Sequence, residues 1–321
     1  MGKTRDGDHL WSGEGVPDHA TGEIMESLRA CRLSTTEPPE ALLRGETPAS
    51  YRRNRVITIA SLAAAVAVVS GVFWSMGAGG GLRISPLEGR PMVDGAALRS
   101  ASTIDVGEGV VTDAQSRARI DIDEYGYLDV QPGTRLGLVD RTTERRFRLS
   151  RGAIEVAVTA PPRLLVVETP NAVAVDLGCA YTLEVTEDNG GLLAVQSGWV
   201  AIETAVRTSF IPGGARCVIE PTRGPGLPVF DDATPKFREL AQSYDETANP
   251  ELIAGLLDAA RPRDTLTLWH LVSRVDGGVR PQVVDQIIDY AGLPRDIRIE
   301  SILALEESAL EQWRVALSAT W

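Results

Sequence analysis

The sequence predicts a mainly β protein with separate helices and a single membrane-spanning helix. Three observations carry this. Apolar and polar residues alternate with period two from Leu82 to about Pro221, the pattern of half-buried strands. From Thr234 the apolar spacing returns to the helical period. Ahead of both, Val56–Met76 holds no charged residue and directly follows Arg52, Arg53 and Arg55. The expected organisation is a cytoplasmic segment with one short helix over 1–55, the spanning helix over 56–76 and a Gly-rich linker over 77–81. A β domain over 82–228 and a helical region over 229–321 follow.

The first fifty residues are polar and rich in Gly and Pro. One helix is expected, Thr21–Leu33, where Ile24, Leu28 and Cys31 form a narrow apolar stripe. A helix this short is marginal in water by itself. Two readings stay open: a helix that folds against a partner, making the stripe a candidate partner-binding surface, or a weakly ordered leader. Val56–Met76 meets the roughly 20 apolar residues needed to cross a bilayer core. Phe73 and Trp74 sit where an aromatic belt belongs, and Gly77, Gly79, Gly80 and Gly81 end the run. Arg44, Arg52, Arg53 and Arg55 outweigh the more widely spaced Arg83 and Arg90, which places the N-terminus in the cytoplasm. The net charge of −12 argues against a general nucleic-acid surface.

The β region contains the alternating runs Ala118–Asp123, Tyr127–Val130, Phe147–Leu149 and Ala153–Val158. Further runs follow at Leu164–Glu168, Ala172–Val175, Tyr181–Val185, Leu192–Val195, Trp199–Glu203, Thr208–Ile211 and Ala215–Ile219. Turn signals separate them, among them Tyr125-Gly126, Arg151-Gly152, Asn189-Gly190-Gly191, Ser197-Gly198 and Pro212-Gly213-Gly214. Short strands at such spacing fit a sandwich or an elongated β-solenoid, and spacing does not choose between them. Cys179 and Cys217 lie in this region. Pairing in an oxidising compartment and burial as small apolar residues are both open.

Four landmarks in this region resemble a known family. They are Arg146-Phe147-Arg148-Leu149 with Arg151-Gly152-Ala153-Ile154-Glu155-Val156, then Leu165-Val166-Val167-Glu168-Thr169-Pro170. Next come Val173–Tyr181, containing Gly178-Cys179-Ala180-Tyr181, and Val195-Gln196-Ser197-Gly198-Trp199-Val200. In kind and order they resemble the FecR domain of membrane-anchored bacterial signalling proteins. Cys179 stands where that family usually has Thr, and Tyr181 where it has Phe. The resemblance implies a bacterial inner-membrane protein with a short cytoplasmic N-terminus and a periplasmic β domain. It implies regulation of an extracytoplasmic-function sigma factor through the N-terminal segment, with an envelope protein or outer-membrane receptor as partner on the other side. The alternative is an envelope binding or structural module without a sigma-factor partner. Gly152, Gly178, Gly198, Tyr181 and Trp199 read as structural positions of the motif.

No reading of the chain yields a cofactor, a metal site or an enzyme. Asp121-x-Asp123 before Gly126 lacks the acid that would close a calcium loop, since Pro132 stands there. Gly77–Gly81 has no Gly-Lys-Ser or Gly-Lys-Thr after it. His270, beside Trp269 in an apolar helical run, reads as structural.

The helical region divides at its own punctuation. Pro235–Tyr244 is one helix. Asn249 as N-cap with Pro250 opens a second, carrying Leu252, Ile253, Leu256 and Leu257. Asp264 is expected to cap a third with Leu268, Leu271 and Val275. Pro281 opens a fourth that ends at Gly292. Ile299–Leu303 and the Leu310, Trp313 and Leu317 stripe complete a set of loosely HEAT-like hairpins.

Overall fold

The structure, a computed structural model, describes residues 81–321. Strands β1 (Leu82–Glu88), β2 (Met92–Val93), β3 (Ala96–Ala97), β4 (Ser102–Ile104) and β5 (Gly109–Val111) begin two layers. Next come β6 (Arg117–Ile122), β7 (Gly126–Val130), β8 (Arg135–Asp140) and the fourteen-residue β9 (Arg145–Val158). Then follow β10 (Leu165–Glu168), β11 (Val173–Asp176), β12 (Ala180–Val185) and β13 (Gly191–Ser197). After them run β14 (Trp199–Glu203), β15 (Thr208–Pro212) and β16 (Ala215–Glu220). The two-residue β17 (Gly224–Pro225) and β18 (Val229–Phe230) close against β16.

The order across one layer is β4, β1, β6, β7, β9, β12, β13, β16. Across the other it is β3, β2, β5, β8, β9, β10, β11, β14, β15. Strand β9 belongs to both. Neighbours are antiparallel except β9 and β10. Alternation sets which residues point inward: in β6, Ala118, Ile120 and Ile122 are buried and the arginines and Asp121 between them are not. Ile120 and Leu128 of one layer share a core with Leu136, Phe147 and Ile202 of the other. The architecture is therefore a two-layer sandwich rather than a solenoid.

One expected turn is absent. Arg151-Gly152 lies inside β9, which joins the runs Phe147–Leu149 and Ala153–Val158 into one strand. The strand leaves one layer and enters the other there, with Gly152 at φ +84°. A Cβ at Gly152 would collide with Thr134. The buried Thr134 fastens the bend: its Oγ1 accepts from Ala153 N at 2.9 Å. A glycine at a bulge and a glycine at a turn look alike in sequence.

The helical region holds α1 (Pro235–Thr247), α2 (Leu252–Ala259) and α3 (Thr265–Val272). It continues with α4 (Arg280–Ala291), α5 (Ile299–Leu303) and α6 (Glu307–Ser318). Thr234 caps α1, its side chain accepting from Phe237 N at 3.2 Å. Asn249 bonds Glu251 N, but α2 starts at Leu252. Asp264 stands at the N-cap of α3 without a side-chain cap bond; it is fully buried and accepts from the Arg261 backbone and guanidinium. Trp313, Leu271, Ile287 and Phe237 centre the helical core. Leu266 of α3 enters the core of the sandwich, so the helices pack on the β layers.

The expected fold class requires one correction. Among the described residues no helix is long and apolar enough to cross a membrane. The longest, α1, has 13 residues, a rise of about 20 Å against a bilayer core of about 30 Å. The described fold is mainly β with packed helices and no spanning helix among the described residues. Val56–Met76, expected to span, lies outside the described residues, as do the Ile24, Leu28 and Cys31 stripe and the segment 1–55.

Candidate functional site

The chain passes between layers at two neighbouring corners. Strand β11 leaves one layer and Leu177-Gly178-Cys179 carries the chain to β12 in the other. Gly198 carries it back from β13 to β14. Gly178 and Gly198 both have positive φ. The corners touch: a Cβ at Gly198 would strike the Gly178 carbonyl and come within 2.9 Å of Cys179 Cα. Backbone bonds from Leu177 N to Trp199 O (3.1 Å) and from Gly213 N to Gly198 O (2.9 Å) stack a third corner on these two.

A buried acid braces the first corner. Asp176 has no exposed surface; Oδ1 accepts from Gly178 N at 2.6 Å and Oδ2 from the Cys179 thiol at 2.7 Å. Burial raises the Asp176 carboxyl, against the lowering from those two bonds. Burial, followed by the neighbouring acid, pushes the Cys179 thiol up, leaving a poor nucleophile. A Thr hydroxyl at Cys179 would donate to the same acid, which explains how the departure from the family pattern is accommodated. Cys217, also a free buried thiol, is pushed to about 12, chiefly by burial. Tyr181 packs into the core behind the corner, and its hydroxyl has no partner among the described residues.

The far side of the corners meets the helical region. The Trp199 ring lies 6.0 Å from that of Trp321, which lies 6.3 Å from Trp269. Trp321 Nε1 donates to Thr265 Oγ1 at 3.1 Å. His270 joins α3 to β15: its Nε2 accepts from Phe210 N at 3.0 Å, and Nδ1 lies 2.8 Å from Leu266 O. With Nε2 accepting, the proton sits on Nδ1, so the ring is neutral. Leu177, Trp199, Phe210, Arg314, Ser318 and Ala319 line a groove of about 390 Å³ beside this seam. The Arg314 guanidinium covers the Phe210 ring at 4.3 Å. An aromatic wall with a cation at its rim suits an apolar or aromatic side chain of a partner.

The structure thus brings Gly178, Gly198 and Trp199 together, sets Tyr181 behind them and places Gly152 elsewhere, at the bend of β9. Asp176, Phe210, Arg314 and Trp321 were not singled out in the sequence. Asp176 stood within a recognised motif, while Trp321 carried no signal beyond its residue type. Asp121 and Asp123 each face an arginine, Arg83 at 3.8 Å and Arg145 at 2.6 Å. Among the described residues no group of three or more His, Cys, Asp or Glu side chains is placed to hold a metal.

The fold and its corners define a β-sandwich domain buttressed by helices. The family model described as FecR protein matches residues 108–201. A comparison with curated proteins yields no match. Among solved structures the chain is similar to two crystal structures of a candidate anti-sigma factor from Parabacteroides distasonis ATCC 8503. Each is 16% identical with a TM-score of 0.35, over 39% of this chain and 60% of that one.

Proposed function

We propose that this protein is a FecR-type regulator that works by binding rather than by catalysis, and that it controls an extracytoplasmic-function sigma factor through its N-terminal segment. The observation that supports this most is the family match over 108–201, which falls on the sandwich and includes both crossing corners. The Trp199 groove supports a binding role for that domain, because it offers an apolar surface with a cationic rim. In this reading the Ile24, Leu28 and Cys31 stripe is the surface that meets the sigma factor, and an envelope protein engages the sandwich.

The test is co-purification of the full chain with each extracytoplasmic-function sigma factor of its own cell, with transcription from the captured factor's promoter as readout. Deleting residues 21–33 is expected to abolish capture and to change transcription. Full capture and unchanged transcription after the deletion would sink the proposal and favour an envelope binding module.

A further inference from the structure

A second recess lies away from the Trp199 groove, where the last turns of the sandwich meet the helices. It holds about 310 Å³ and is lined by Arg207, Glu220, Arg223, Tyr244, Asp245 and Arg274 among others. Three guanidiniums and two carboxylates therefore converge, an excess of positive charge in a chain of net charge −12. Arg274 is buried at the back, its side chain 6% exposed. It donates to Gly226 O at 2.9 Å, Ser209 Oγ at 3.1 Å and Asp245 Oδ1 at 3.3 Å. Asp245 is committed twice over, since its Oδ2 also accepts from Leu227 N at 2.7 Å.

Arg207 and Arg223 are differently placed. Arg207 donates one Nη1 bond to Pro225 O at 3.2 Å, and Arg223 one to Asp245 O at 2.8 Å. Neither has a carboxylate partner among the described residues. Each keeps guanidinium N–H groups for something else. Arg274 is held down to about 10, first by burial and also by the repulsion of Arg207, against the raising effect of Asp245. It is cationic at neutral pH, so two like charges face one recess. Asp245 answers Arg274, which leaves Arg207 and Arg223 as the cations of the recess without a carboxylate among the described residues, and an anion entering it would complete the pairing.

We propose that this recess binds a small molecule through an oxyanion, a phosphate or a carboxylate, held by Arg207 and Arg223 in front of Arg274. Guanidinium forks match both groups, and the volume accommodates a small organic molecule rather than a bare ion. Arg207 and Arg223 belong to the sandwich and Arg274 to the helical region, so the ligand would brace one against the other. The inference stands independently of a sigma-factor partner.

The experiment is calorimetric titration of the full-length protein with inorganic phosphate and, separately, with acetate, at constant ionic strength set by sodium chloride. Saturable binding of either anion is expected, and which of them binds distinguishes the phosphate from the carboxylate source. Exchanging Arg207→Gln together with Arg223→Gln should weaken it about tenfold or more. Arg163→Gln, at an exposed arginine paired with Glu203 elsewhere on the sandwich, should leave it unchanged. The single exchange Arg223→Gln, at an exposed side chain, serves where the double variant does not fold. No saturable heat with either anion, or affinity unchanged when Arg223 is replaced, would overturn the proposal.

Discussion

His270 gives the sharpest quantitative test of the seam between helices and sandwich. The ring is 3% exposed, and protonating Nε2 would remove the acceptor for Phe210 N. Burial above all, then the nearby Arg274 and Arg314 cations, lowers its pKa from 6.5 to about 3 against the raising effect of Leu266 O. The folded pKa lies below the unfolded one, so the unfolded chain takes up the proton first. Above about pH 6.5 the group contributes nothing to pH dependence, and stability falls as pH drops from there toward 3. At pH 5 the loss amounts to about 2 kcal/mol relative to pH 7.5. The assay is urea unfolding at pH 7.5, 6.5, 5.5 and 5.0 for the native protein and His270→Gln, which cannot titrate. The variant is less stable at pH 7.5, and its deficit should shrink by about 2 kcal/mol on going to pH 5. Taking the difference removes the contribution of carboxylates common to both, including Asp176 and Asp245. A deficit constant across the four pH values would refute a neutral, buried His270.

Three further outcomes follow from packing and burial. Gly198→Ala should destabilise by about 2 kcal/mol or more in the same urea assay, because positive φ and the Gly178 carbonyl both oppose a Cβ; a loss below 0.5 kcal/mol would mean the corners are not in contact. Trp313→Ala, at a fully buried ring in the helical core, should cost about 3–5 kcal/mol in thermal or urea unfolding. In a Cys31→Ser background, Cys179 and Cys217 should resist an aromatic disulfide reagent at pH 8 and react on addition of denaturant; rapid labelling of the native protein would contradict their burial.

Much of the fold was legible because its signals are local. Alternation in Arg117–Ile122 and Ala215–Glu220 marks inward and outward residues wherever the strand is placed. Thr234-Pro235 and Gly292 mark helix ends through backbone chemistry of single residues. Gly178 and Gly198 were recognisable as positions requiring glycine. Gly152 was misassigned to a turn, because whether a positive φ reverses the chain or only bends it depends on Thr134 across the layer. Asp264 holds the expected N-cap position of α3, but its carboxylate bonds Arg261 instead of the helix end, a partner that lies before the helix and is not marked by the capping pattern. The spanning helix rested on the length and charge of Val56–Met76, and no described helix is of that kind.

By itself the sequence determined the two periodicities, the order of strands before helices, the corner glycines and the FecR-like landmarks that the family model matches over 108–201. Only the tertiary structure decided that β9 serves both layers, that Trp199 meets Trp321, that His270 is neutral, and that Arg207, Arg223 and Arg274 share a recess. The division has a physical cause. Periodicity and backbone preference act over a few residues and are written in consecutive letters. The partner and the burial of a polar or aromatic side chain are set by residues distant in the chain, and those appear only once the layers and helices have packed.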